Sequence, residues 1–108
     1  MTARGVKMFL ELSEFEVRVA VDVQSALKEA AAFKFDVLVC DLRLPDGTGW
    51  DLMKTLGERS AVRGIAFSAF DEPEHRARSK NAGFLEHVVK GSTPEALLAA
   101  VRRAVRSS

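Results

Sequence analysis

The chain has 108 residues, 47% hydrophobic and 29% charged, with Lys+Arg 16 against Asp+Glu 15 for a formal net charge of +1. That is one domain's worth of sequence, residues 1–108, able to bury one modest core. The near-neutral balance gives no strong field for nucleic acid or an anionic membrane. A single Cys40 excludes an internal disulfide or a Cys-based zinc site, and no stretch approaches the ~20 apolar residues of a membrane span.

The first segment, Thr2 to Ser13, reads as a helix, with Val6, Phe9, Leu10 and Ser13 at helical spacing. Met1 to Lys7 is mixed and polar, without an apolar signal core, so a reducing cytoplasm is the expected location. Val17, Val19 and Val21 alternate with Glu16, Arg18 and Ala20, the pattern of a half-buried strand. Asp22 can cap a following helix that carries Ala26, Leu27, Ala30 and Ala31 on one face.

Val37 to Cys40 is a continuous apolar run, suited to a strand covered on both faces of a parallel sheet. A turn-rich loop, Pro45-Asp46-Gly47-Thr48-Gly49, precedes a short helix with Leu52, Met53 and Leu56. Ile65-Ala66-Phe67 is a further strand. Asp71 and Glu74 resemble a capping box for a helix that ends at Gly83. Val88-Val89 is a short strand. Thr93 and Pro94 open a last helix with Leu97, Val101, Ala104 and Val105 inward. The basic run Arg102, Arg103 and Arg106 sits at the end of that helix, where cations complement its dipole.

The order is a helix, then strand and helix four times over. It predicts an α/β sheet with helices on both faces and function beyond the carboxyl ends of the strands. Three polar residues stand at those ends: Asp41, Ser68 and Lys90. Each alone has an ordinary reading, as a turn residue, a strand-end hydroxyl and a solvated cation. Together they suit phosphoryl chemistry. A carboxylate attacks phosphorus, an ammonium offsets the charge on the phosphoryl oxygens, and a hydroxyl donates to the bound group. Cys40, inside an apolar strand, reads as a core thiol. His75 and His87 are too scattered for a metal site.

Asp41-Leu42-Arg43-Leu44-Pro45-Asp46-Gly47-Thr48-Gly49 resembles the phosphorylation loop of response-regulator receiver domains of two-component systems, with proline four and glycine eight residues after the aspartate. Ile65 to Ala69 is similar to their fourth strand with its switch hydroxyl. Asn81 to Phe84 and His87 to Lys90 are similar to their fourth helix end, fifth strand and lysine. The stretch from Gly64 to Pro94 is most like receivers of hybrid histidine kinases. The resemblance runs from near the N-terminus to about Arg106.

It implies a flavodoxin-like, doubly wound parallel sheet. It implies a phosphoacceptor at Asp41, helped by Ser68 and Lys90, with a histidine kinase or phosphotransfer protein as partner and no enzyme activity of its own. It also implies Mg²⁺ held by Asp41 and the Arg43 backbone carbonyl. The sequence departs from the family in four places. The family's first strand and its metal-holding acidic pair have no counterpart in these 108 residues. Gly91 rather than proline follows Lys90. His87 occupies the aromatic switch position. Arg43 and Phe70 occupy positions that tune phosphoryl lifetime.

Without that strand, the Val17–Val21 and Val37–Cys40 strands lose a shared neighbour. The expectations are weak Mg²⁺ binding, impaired phosphorylation, and a homodimer, strand exchange or rearranged sheet built on the exposed edge; the alternative expectation is that the sequence starts late and the cellular protein has the strand. One rival is a receiver-like interaction module that signals without phosphate. A haloacid-dehalogenase-like phosphatase is disfavoured, because Arg43 stands where that class needs a second acid.

Overall fold

The structure, a computed structural model, describes residues 3–59, 61–69 and 72–106. Its elements are α1 (Ala3–Leu12), α2 (Val23–Ala32), β1 (Val37–Cys40), β2 (Arg43–Leu44), β3 (Gly47–Thr48), α3 (Gly49–Arg59), β4 (Arg63–Ser68), α4 (Pro73–Ala82), β5 (Phe84–Val89) and α5 (Pro94–Arg106). Strands β1, β4 and β5 form a parallel sheet in the order β1-β4-β5, with Cys40 opposite Ala66 and Ala66 opposite His87. β2 and β3 make a small antiparallel hairpin, Arg43 opposite Thr48, inside the loop after β1.

Alternation along the strands divides the core into two layers. Leu38, Cys40 and Ala66 face a cluster built with Ala26 and Leu27 of α2 and Leu52, Met53 and Leu56 of α3. Val37, Val39, Ile65 and Phe67 face the opposite cluster, built with Leu10 of α1 and Leu97, Ala100 and Val101 of α5. Apolar residues on both faces explain why β1 reads as an unbroken apolar run.

The helix ends follow the local sequence. Asp22 caps α2 by accepting from the Ser25 N–H at 2.7 Å, and Ser25 Oγ accepts in return from the Asp22 N–H at 3.2 Å. Gly83 closes α4 with φ 109°, a left-handed position that disfavours a side chain. Thr93 Oγ1 accepts from the Ala96 N–H at 3.3 Å at the start of α5. For α4, the cap position is Glu72, with Pro73 first in the helix and no side-chain cap bond. The Asp71 half of the expected capping box, like Phe70, lies outside the described residues.

Two expectations are corrected. Val17–Val21 is not a strand. Phe15 to Ala20 runs without strand pairing, because a strand needs a ladder partner and none lies beside it among the described residues. Phe15 and Val17 still pack on the α1–α5 cluster, while Val19 and Val21 are exposed. Val105 is exposed rather than inward, and Ala100 takes the buried place on α5. The three strands paired among the described residues lie in the order β1-β4-β5.

Candidate functional site

Asp41 directly follows β1, Ser68 ends β4, and Lys90 directly follows β5. With β4 parallel to both neighbours, all three lie on one edge of the sheet. The Lys90 Nζ meets Asp41 Oδ2 at 2.5 Å, joining residues 49 apart in sequence. The Lys90 N–H donates to the Ser68 carbonyl at 2.8 Å, which seats the lysine with Gly91, not proline, behind it. The Arg43 N–H donates to Asp41 Oδ1 at 3.2 Å. The structure therefore brings Asp41, Lys90 and the Arg43 backbone together and ties Ser68 to them through its main chain. The Asp41 and Lys90 side chains are 37% and 35% exposed, open to a reagent, whereas Ser68 is 1% exposed.

The loop after Asp41 is fixed by features local to it. Gly49 begins α3 where its backbone passes close to the Asp41 carbonyl; a Cβ there would collide with that oxygen and crowd Cys40 Sγ. The Gly49 N–H donates to the Leu42 carbonyl at 3.0 Å, closing the β2–β3 hairpin. Asp46 at the hairpin tip accepts from the Val23 N–H at 2.7 Å and the Gln24 N–H at 3.1 Å. It thus caps α2 alongside Asp22 and clamps the loop to that helix. In the sequence Asp46 reads only as a turn former. Its partners lie 22 and 23 residues away, and no local signal points to them.

Burial pushes the Cys40 thiol up to about 12, so the group stays protonated and serves as core packing. His87 forms part of a chain that sequence reading did not find. Trp50 Nε1–H donates to the buried Ser79 Oγ at 3.0 Å, and Ser79 Oγ lies 3.2 Å from His87 Nδ1. His75 stacks on Trp50 with ring centroids 5.8 Å apart, and Arg78 lies over the same indole at 4.0 Å. α3, α4 and β5 are thereby joined through one hydroxyl. Arg103, read as a dipole-complementing cation, makes a two-bond pair with Glu86 at 2.8 and 2.6 Å.

A divalent cation such as Mg²⁺ asks for several hard oxygen ligands in near-octahedral order. Among the described residues no group of three or more His, Cys, Asp and Glu side chains comes together. Both Asp41 oxygens already accept hydrogen bonds, from Lys90 and Arg43. The described residues do not supply the ligand set of a tightly held ion. No helix among the described residues is long and apolar enough to cross a membrane.

Comparison with known proteins accounts for this arrangement. The pattern of the response regulator receiver domain matches residues 1–102. The KDP operon transcriptional regulatory protein KdpE of Escherichia coli is 34% identical over 103 residues, covering 95% of this chain and 46% of that protein. The sensory transduction protein RegX3 of Mycolicibacterium smegmatis is 33% identical over 96% of this chain and 46% of its own length. The chain thus spans about half the length of these relatives. Among solved structures, the Vibrio cholerae chemotaxis protein CheY4 superposes with a TM-score of 0.88 at 28% identity, covering 94% of this chain and 87% of that one. A CheY-like receiver domain from Methanospirillum hungatei shares the fold with a TM-score of 0.90 at 23% identity, covering 96% and 84%. The fold is flavodoxin-like, and the chain belongs to the response regulator receiver domain family of two-component systems.

Proposed function

We propose that the chain accepts a phosphoryl group on Asp41 from a histidine kinase or phosphotransfer protein, in the cytoplasm, as a signalling module rather than an enzyme. The observation that carries this reading is the Asp41–Lys90 pair at the carboxyl edge of the sheet. In the transfer, an Asp41 oxygen forms a bond to phosphorus. The phosphorus–nitrogen bond of the donor phosphohistidine breaks, and the released imidazole takes up a proton. Lys90 offsets the charge spread over the phosphoryl oxygens. Ser68 supplies a hydroxyl hydrogen bond to the bound group, once its buried side chain turns outward.

Receiver domains typically bind Mg²⁺ at an acidic pocket. Here Asp41 and the Arg43 carbonyl are the ligands on offer, and the rest of the coordination falls to water. Weak metal binding and slow phosphorylation of this 108-residue form follow from that. The lack of an acidic cluster among the described residues also favours a second reading: a receiver-like module that binds partners without phosphate. Among the described residues β1 pairs only with β4, and its other edge is a candidate pairing surface for another chain, a second copy of this one included. Incubation with Mg²⁺ and a small phosphodonor, followed by intact mass, separates the two readings. Slow gain of one phosphoryl group that Asp41→Asn abolishes supports the acceptor. No gain supports the phosphate-independent module.

A further inference from the structure

The β2–β3 hairpin after Asp41 is held at both of its ends. At its base, the Arg43 N–H donates to Asp41 Oδ1 at 3.2 Å and the Gly49 N–H donates to the Leu42 carbonyl at 3.0 Å. Thr48 Oγ1 accepts from the Asp51 N–H at 3.2 Å, so the hairpin also caps the first turn of α3. At its tip, Asp46 accepts from the Val23 N–H at 2.7 Å and the Gln24 N–H at 3.1 Å. Gly47 lies against Val23, whose Cγ2 a Cβ at position 47 would meet at 3.1 Å. Leu44 packs on the same apolar cluster as Val23 and Ala26. The tip bonds tie the loop after the acceptor to the start of a helix that lies before it in the chain.

We infer that Asp46 is a positioning residue for the acceptor carboxylate of Asp41, an inference that rests on the phosphoacceptor reading. The route is short. Asp46 fixes the hairpin tip. The two pairs of the hairpin, Leu44 with Gly47 and Arg43 with Thr48, carry that constraint down to Arg43. The Arg43 N–H then sets the direction of Asp41 Oδ1, while Lys90 Nζ holds Oδ2. Two donors from two sides give the carboxylate one orientation, and a nucleophile held in one orientation meets an incoming phosphorus with less to lose in entropy. With the tip released, the Arg43 N–H loses its support and Asp41 turns about its last torsion. Asp46 itself touches no reacting atom.

Asp22 separates this role from plain helix capping. It caps the same end of α2, accepting from the Ser25 N–H at 2.7 Å and from Ser25 Oγ at 2.6 Å. Both bonds stay within the first turn of α2 and do not reach the hairpin. Loss of either carboxylate strips α2 of a cap, but only loss of Asp46 unties the loop after Asp41.

The test uses the whole 108-residue protein with Mg²⁺ and acetyl phosphate, and reads intact mass against time over a range of donor concentrations. Asp46→Ala slows the maximal labelling rate by about tenfold or more and leaves the half-saturating donor concentration unchanged, because misplacing a reacting group costs rate rather than binding. Asp22→Ala, which loses a cap of the same helix, labels at the wild-type rate. Amide exchange, measured without donor, quickens at Arg43 in Asp46→Ala and not in Asp22→Ala. Should Asp46→Ala not fold, Val23→Pro decides from the donor side. Proline suits the first helical position and removes the N–H that makes the shorter bond to Asp46, so this variant also labels more slowly than wild type. Equal labelling by wild type and the Asp46 variant, equal slowing by Asp22→Ala, or unchanged exchange at Arg43 overturns the inference while the phosphoacceptor reading stands. No labelling of the wild type overturns that reading, and the role of Asp46 with it.

Discussion

At the scale of single residues, the site rests on few contacts of unequal weight. The Asp41–Lys90 pair is about one third exposed, and an ion pair of that kind contributes only about 0–1 kcal/mol to stability. Its value is positional: it holds an ammonium where phosphoryl charge would develop. Lys90→Ala is therefore expected to leave urea unfolding within about 1 kcal/mol of wild type and to slow phosphodonor labelling by about 10²–10³-fold. Matched denaturation and labelling time courses check both halves. Asp46 weighs more in stability. Its carboxylate accepts from two backbone N–H groups at the start of α2. Asp46→Ala should cost about 1–2 kcal/mol in urea unfolding, as loss of a strong helix cap does. Asp41, Ser68 and Lys90 were legible in the sequence because each ends an apolar run. Asp46, Ser79 and Trp50 were not, because their partners come from elements distant in sequence.

At the scale of elements, capping chemistry was the most readable part of the chain. Asp22, Gly83 and Thr93–Pro94 all mark helix ends where local geometry demands those residue types. Asp22 also gives a pH signature. Its hydrogen bonds from the Ser25 side chain and backbone lower its pKa from the ordinary 3.8. A carboxyl depressed on folding stabilises fully above its unfolded value, and the contribution is lost as pH falls through the lower folded value. Below about pH 4, wild-type stability should thus fall more steeply with acid than that of Asp22→Asn. Chemical denaturation at stepped pH measures the two slopes, and parallel slopes would contradict the assignment. The element least readable was Phe15–Ala20. Its alternation is that of a strand, yet pairing is a property of neighbours, and none stands beside it among the described residues.

At the scale of the whole molecule, the two apolar layers hold the fold together on the two faces of the sheet. The radius of gyration of 12.7 Å is close to the roughly 13 Å expected of a compact chain of this length. The layered α/β architecture could be read from alternating strand and helix patterns. The separation of the core into an α2–α3 side and an α1–α5 side emerged only with the strand order. The same architecture puts the ends of β1, β4 and β5 on one edge, where Asp41 is the proposed nucleophile. Intact mass after incubation with Mg²⁺ and a small phosphodonor tests that claim most directly. A phosphoacceptor role for Asp41 predicts slow gain of a single phosphoryl group by the wild type and none by Asp41→Asn. Equal gain by the two proteins, or no gain by the wild type at saturating donor, would contradict it.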